Sequence, residues 1–312
     1  MGKGVRSSIL IALASFVLVL ASCAHTTPFK DRMYIQSFGT DGQFVLTVNA
    51  QRFDVEEFAS ENDVTLDSQV QYIADRMTRL SIVLFDRTGE YRDYPANYGA
   101  LDFDGAIEGN YSKALLNTAL KLGGALTEEK GESGLRFFTD EQSGIQAAVP
   151  KNGVILFSSS DIEANYEKAF GSAYSDRDAD KVISDEKAQK LASSMFGIYV
   201  SNPKTMLDIG LDVPQSALEN IEYILIMMDT ETLSVDFKLK SESLAKSFSV
   251  IVKASYVGDL RRDGLPIDFE QLKSQFVQEL DMVYIRDLGL TDQQRDAVKA
   301  VALQLLDVFK EI

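Results

Sequence analysis

Thiol and imidazole groups each occur once in this chain, at Cys23 and His25, two residues apart near its start. Catalysis by Ser-His-Asp or Cys-His groups, and metal binding by several histidines, need imidazoles that the fold holds in position. Residues so close to a chain start are rarely held in this way. We therefore expect no histidine-based active site, and a single thiol allows no disulfide within the chain.

Two other motifs contain chemically useful residues but lack the rest of their patterns. The carboxylates alternating through Asp176–Asp180 suit a calcium loop, but Lys181 occupies the glycine position and Lys187 that of the bidentate glutamate. A solvated acidic linker is the preferred interpretation. Ser243 and Lys246 have Ser-x-x-Lys spacing without a following Lys-Thr-Gly motif, so Ser243 is predicted to cap a helix. The sequence thus predicts no catalytic residue, cofactor or metal ligand.

The first 22 residues have the composition of an export signal. Lys3 and Arg6 give a positive start, and Ile9 to Leu20 is an uncharged, mostly apolar run of 12 residues. A membrane-spanning helix needs about 20 apolar residues, so this run is too short to span a bilayer and fits a secretory signal. We predict that residues 1–22 are a signal peptide.

This signal ends in Leu20-Ala21-Ser22-Cys23. The ending resembles the lipobox of bacterial lipoprotein precursors. The resemblance implies that the signal peptidase cuts between Ser22 and Cys23, and that Cys23 carries a diacylglyceryl group and an amide-linked acyl chain such as palmitate. Two or three acyl chains would anchor the protein stably in a membrane. An ordinary signal peptide with an incidental cysteine is the alternative.

These features predict a location in the bacterial cell envelope, facing the periplasm or the exterior. Where there are two membranes the outer one is favoured, because Ala24 replaces the Asp that retains some lipoproteins in the inner membrane. Loss of Lys3 and Arg6 with the signal changes the formal net charge from −16 to −18. So acidic a chain without a basic cluster does not suit nucleic acid, and membrane contact is expected through the acyl chains on Cys23. The acidic excess mainly favours solubility, with cationic ligands as a weaker alternative.

The order of predicted elements indicates an α+β fold with largely antiparallel sheets and packed helices. A tether at 23–32 leads into an α+β half at 33–170, an acidic linker at 171–190 and a second half at 191–312. The predicted strands are 33–38, 44–48, 81–86, 101–108, 135–139, 145–149, 154–158, 196–201, 223–228 and 233–239. The predicted helices of the two halves are 67–80, 111–122, 161–170 and 244–255. In the strand at 101–108, the carboxylates of Asp102, Asp104 and Glu108 are expected to face solvent.

Both halves share the order strand, helix, buried strand, alternating strand, helix, over Phe44–Leu122 and Phe196–Tyr256. This order predicts two duplicated β-α-β-β-α units. The best local match sets Leu101-Asp102-Phe103-Asp104 beside Val235-Asp236-Phe237-Lys238. Coincidence among common patterns is the alternative.

The chain is expected to end in two amphipathic helices, Ile267–Arg286 and Thr291–Ile312, with Thr291 and Gln294 forming a capping box. Their apolar faces are predicted to cover the sheets, with a bilayer or a partner as the alternative.

Three functions fit these observations. The first is a non-enzymatic, lipid-anchored envelope lipoprotein that acts as a binding or assembly module, with an envelope protein as its partner. The second is binding or transfer of a small apolar or lipid ligand beneath the two terminal helices. The third is a carboxylate-based hydrolase such as a glycosidase, which needs two inward carboxylates about 5–10 Å apart.

Overall fold

The computed structural model describes residues 29–39, 43–53, 60, 68–85, 102–122, 126–171, 183–203, 215–262 and 264–289. In these residues the chain forms one antiparallel sheet of 12 strands with helices on both faces. The predicted α+β class with a largely antiparallel sheet is confirmed.

The strands are numbered in chain order. They are β1 Gln43–Asn49, β2 Met77–Phe85, β3 Asp102–Gly109, β4 Leu126–Lys130, β5 Arg136–Asp140, β6 Gln146–Lys151, β7 Val154–Ser158, β8 Phe196–Ser201, β9 Ile221–Met228, β10 Thr232–Leu239, β11 Phe276–Glu279 and β12 Met282–Gly289.

The described helices are numbered in the same way. They are α1 Asp31–Gln36, α2 Ser68–Ala74, α3 Lys113–Leu122, α4 Ile162–Phe170, α5 Asp185–Ser193, α6 Gln215–Leu218, α7 Glu242–Arg262 and α8 Phe269–Gln275. None of these helices is both long and apolar enough to cross a membrane.

The strands follow the order β11-β12-β10-β9-β8-β1-β2-β3-β7-β6-β5-β4, so β1 and β8 form the central pair. On one side β1, β2 and β3 are consecutive neighbours, and β7 later pairs with β3. On the other side β8, β9 and β10 are consecutive neighbours, and β12 later pairs with β10. The two halves therefore build outward from the β1–β8 pair in similar ways, while a duplication of sequence stays a prediction.

The sheet has two ends, which position the groups discussed below. We call one end of the sheet the tether end, because it is the end nearer to the predicted tether. There β1 finishes at Asn49, β3 finishes at Gly109, and a turn joins Lys151 of β6 to Val154 of β7. At the far end lie the β5–β6 turn, residues 141–145, and the β11–β12 turn.

Both faces of the sheet are buried, which explains why its central strands are apolar at successive positions. In β1 every residue from Phe44 to Asn49 is buried, because alternate side chains point to opposite faces. Helices α1, α4 and α5 pack on one face against residues such as Val45, and we call this the α1 face. Helices α3, α7 and α8 pack on the other face against residues such as Leu46.

The predicted strand at 33–38 is wrong, because Asp31–Gln36 is helix α1. The buried residues of this segment include Asp31, Tyr34, Ile35 and Phe38, which have the spacing of a helix face. The helix also overlaps the end of the predicted tether, 23–32. The predicted helix at 67–80 ends early, since α2 stops at Ala74 and Met77 already starts β2.

The predicted helix Ile267–Arg286 is wrong beyond Gln275, where α8 ends and the β11–β12 hairpin begins. Phe276, Leu280 and Val283 have helical spacing, but Leu280 is 73% exposed in the hairpin turn. The pairing of β12 with β10 determines that this segment is a strand, since β-propensity depends strongly on the residues against which a segment packs. The predicted helix Thr291–Ile312 lies outside the described residues.

Candidate functional site

The lipobox residues Leu20-Ala21-Ser22-Cys23 and His25 lie outside the described residues. The described chain starts at Phe29, six residues after Cys23. The candidate site is therefore the place where the predicted tether meets the described part of the chain. We call it the tether junction and define it as Phe29, α1 and the side chains that contact them.

Asp31 fixes the start of α1 to the sheet. Its carboxylate is only 8% exposed and lies 2.7 Å from a guanidinium nitrogen of Arg79 on β2. The hydroxyl of Ser81 donates to its other oxygen at 2.8 Å. Arg79 also donates to the carbonyl of Ala192 at the end of α5, at 2.9 Å. One carboxylate thus joins α1 to a central strand, and through Arg79 to a second helix.

Aromatic rings continue the junction on the other side of α1. The Phe29 ring lies 5.6 Å from the Tyr34 ring and 5.8 Å from the ring of Phe170, the last residue of α4. The Tyr34 hydroxyl donates to Asn165 at 2.8 Å, and Asn165 is fully buried. The Asn165 amide nitrogen donates to the carbonyl of Gly105 on β3 at 3.0 Å and to a carbonyl of β7 at 2.9 Å. The segment after the tether is therefore held by both ionic and buried polar contacts.

Glu108 and Lys151 complete the charged part of this region. Burial raises the pKa of Glu108 to about 7, with a further rise from Asp31 and opposition from Arg79 and Lys151. Burial also lowers the pKa of Lys151, while Glu108 acts in the opposite direction. The Lys151 ammonium lies 5.4 Å from the centre of the Phe170 ring. This end of the domain thus contains a carboxyl group that titrates near neutral pH.

Two buried aspartates lie symmetrically about the β1–β8 pair on the α1 face. One row of paired residues crosses the sheet from β3 to β10: Asp104, Val83, Val45, Tyr199, Leu225 and Asp236. Both aspartates are 3% exposed, so the prediction that Asp104 faces solvent is wrong. In this row Asp104 and Asp236 hold corresponding positions in the two halves. The predicted sequence match instead set Asp102 beside Asp236.

Each buried aspartate is neutralised by its own cations. Asp104 lies 2.9 Å from the Lys168 ammonium and accepts from the hydroxyl of Ser158 at 2.7 Å. Asp236 lies 3.2 Å from the Lys190 ammonium and contacts the guanidinium of Arg286. Burial lowers the pKa of Lys190, but its interactions with Asp236 and Glu186 together outweigh this, so the pKa lies above its ordinary value.

These aspartates do not form a hydrolase pair. Five strand spacings of about 4.8 Å separate them, which makes about 24 Å and exceeds the span used by glycosidases. Asp31 and Glu108 do interact electrostatically, but the oxygens of Asp31 already bind Arg79 and Ser81. The buried carboxylates that the structure describes therefore have structural partners.

Lys187 on α5 is a second unusual amine, whose environment no sequence pattern indicated. Burial lowers its pKa, with a further reduction from Lys238. Its ammonium lies 3.7 Å from the centre of the Tyr223 ring, which stacks on the Tyr199 ring at 5.6 Å. Because ring faces stabilise a cation, they favour the protonated amine, which is a poor nucleophile.

An open groove of about 560 Å³ lies between α3 and the strands at the β4 edge. Lys121 and Arg136 line it, and both bind Glu128, at 2.9 and 3.0 Å. Lys113 donates to the carbonyl of Pro150 at 2.7 Å. The buried Asn117 Oδ1 has no hydrogen-bond partner among the described residues. The cations of this groove are thus already occupied by the protein.

The remaining predicted motifs assemble no site among the residues that the structure describes. Residues 172–182, which include most of the calcium-like loop, lie outside the described residues. Ser243 does not cap α7, since the Ser241 hydroxyl accepts from the backbone of Leu244, and Lys246 pairs with Glu242 at 2.7 Å. Among the described residues, no group of three or more His, Cys, Asp or Glu side chains could hold a metal ion.

No protein-family model and no curated protein sequence matches this chain. Its fold is similar to that of TP0453 in the crystal structures of that protein. Crystal form I has a TM-score of 0.53 at 13% identity, covering 89% of this chain and 98% of that chain. Crystal form III has a TM-score of 0.51 at 14% identity, covering 88% and 99%. At these identities the likeness shows the fold alone, over nearly the whole length of both chains.

Proposed function

We propose that this protein is a bacterial cell-envelope lipoprotein, anchored by acyl chains on Cys23, that acts as a non-catalytic binding or assembly module. The tether junction is the observation that carries the proposal. Only five residues lie between Cys23 and Phe29, and the segment after Phe29 is fixed to the sheet through Asp31. So short a connection suits a domain that acts at the membrane surface rather than at a distance from it.

The placement in the envelope rests on the predicted export signal at residues 1–22, since the likeness to TP0453 shows the fold alone. The preference for the outer membrane rests on Ala24 alone, and the lipid anchor rests on the lipobox residues.

The non-catalytic role is supported by the state of the buried charges. Asp31, Asp104 and Asp236 are each bound to at least one lysine or arginine, as expected for groups that stabilise a fold. The competing ligand-binding hypothesis required two terminal helices as a lid. Because the hairpin β11–β12 replaces most of the first of these helices, we do not carry that hypothesis forward.

The anchor is tested by intact-mass analysis of the protein extracted from membranes, beside a Cys23→Ala variant. We expect a chain that starts at Cys23 and carries two or three acyl groups, and a variant that is unacylated and leaves the membrane fraction. An unacylated wild-type chain in the soluble fraction would contradict the proposal.

The binding role is tested by crosslinking in intact cells. We expect discrete adducts with envelope components that disappear in Cys23→Ala, although that variant keeps the same fold by circular dichroism. Hydrolysis of a defined envelope substrate by the purified wild-type protein would instead establish an enzyme.

A further inference from the structure

The short connection to Cys23 limits which part of the domain can approach the bilayer. The six Cα-to-Cα steps from Cys23 to Phe29 span about 20 Å when the chain is fully extended. Phe29 cannot extend this reach, because its ring packs on Tyr34 and Phe170 and the carbonyl of Lys30 accepts from the backbone of Tyr34.

The contacts of α1 show at which end of the sheet the chain enters. Asp31 binds Arg79, which pairs with Asn49 and Glu108 close to the tether end. Gln36, at the other end of α1, donates to Asp185, the first residue of α5. Because the last residue of α5, Ser193, accepts from Arg52 at the tether end, Asp185 lies toward the far end. The chain therefore enters at the tether end and runs toward the far end.

We propose that the tether end of the sheet faces the phospholipid headgroups, and that the far end points away from the bilayer. The proposal rests on acylation of Cys23, as proposed above. The surface around the entry point has suitable chemistry, because the exposed Lys30 and the partly exposed Lys151 can approach headgroup phosphates. Phe29 and Phe170 are also partly exposed, and aromatic rings are favoured at the membrane–water interface.

Single-cysteine variants test this orientation directly. Cys23 is the sole cysteine, so after its acylation an introduced cysteine provides the only free thiol. Asn110→Cys places it next to the end of β3, at the tether end, and Gln142→Cys places it in the β5–β6 turn, at the far end. Both native side chains are exposed.

The full acylated chains are labelled with a fluorescent maleimide. They are then bound to vesicles of phosphatidylethanolamine and phosphatidylglycerol that contain a rhodamine-headgroup lipid as energy acceptor. The six residues of β6 separate the two ends by about 20 Å. We expect energy transfer from Asn110→Cys to be at least about twofold stronger than from Gln142→Cys. Equal or reversed transfer from acylated chains would overturn the proposed orientation.

Two controls separate the possible failures. An unacylated chain would take a second fluorophore on Cys23 and stay in the supernatant, which contradicts the lipid anchor and not the orientation. A Gly/Ser insertion of about 15 residues after Thr27, which adds an average span of about 20 Å, should abolish the difference between the two labels. A difference that persists with the long tether would contradict the conclusion that tether length sets the orientation.

Discussion

Replacement of Glu108 by Gln should change how the stability of this protein depends on pH. Gln resembles the protonated carboxyl group in size and hydrogen bonding but cannot ionise. In the folded protein, burial first and Asp31 second raise the pKa of Glu108 from 4.5 to about 7. The folded state therefore holds this proton more tightly than the unfolded chain does.

The sign of the effect follows from proton linkage. Below pH 4.5 Glu108 is protonated in both states, and its favourable contribution is fully present. Between pH 4.5 and about 7 the folded chain binds more protons than the unfolded one, so the free energy of unfolding falls as pH rises. For a fully buried group this difference in pKa corresponds to about 3 kcal/mol. Glu108 is only half-buried, so solvent screening reduces the expected loss to about 1–2 kcal/mol.

The assay is urea unfolding of the full chain in detergent at pH 4.5 and pH 8, followed by circular dichroism. We expect Glu108→Gln to be more stable than wild type at pH 8 by about 1–2 kcal/mol, and equally stable at pH 4.5. Glu167→Gln, which alters an exposed glutamate of α4, is the matched control. Equal stability of Glu108→Gln and wild type at both pH values would refute this account of the tether junction.

Three further substitutions test the packing by the same unfolding assay. Asp236→Ala should destabilise the protein by about 2–4 kcal/mol, because it leaves Lys190 without its buried partner; a change below about 0.5 kcal/mol would show that this pair is not buried in solution. Leu280→Asn should stabilise by about 0.5–1 kcal/mol, since Leu280 has a φ of 52° in an exposed turn and asparagine tolerates that conformation better; destabilisation would reveal a packing role for this leucine. Gly105→Ala should destabilise by about 1–3 kcal/mol, because its Cβ would lie 2.0 Å from the Phe157 ring; unchanged stability would mean that the ring moves freely.

The strands of this fold could be predicted where apolar residues alternate or run together. The segments that became β5, β6 and β7 were identified to within about two residues. Asp161, at the start of the predicted helix 161–170, caps that helix, since its carboxylate accepts from the backbone of Glu163 and Ala164. These features are local, because a side-chain period or a cap depends on residues close in sequence.

The errors occurred where distant residues decide the structure. Asp104 was expected in solvent because it alternates with Phe103, but α4 covers that face and supplies Lys168. The strand β4, with the sequence Leu-Thr-Glu-Glu-Lys, was missed because its charges suit a loop. Those charges fit an edge strand, where they discourage pairing with another chain. Glu108 could not have been selected from sequence, since its raised pKa depends on burial.

The central pairing of β1 with β8 limits how this protein can be divided. A chain cut within 171–190 would separate the two predicted halves, but it would also free the edge at which β1 and β8 join the described strands of one half to those of the other. The exposed edge of β1 would carry apolar side chains on both faces, together with a Thr47 hydroxyl that normally donates to the carbonyl of Leu191. Each fragment alone would tend to aggregate edge to edge, whereas fragments produced together could reassemble through this one pair of strands. The two halves are thus obligate complements rather than independent modules.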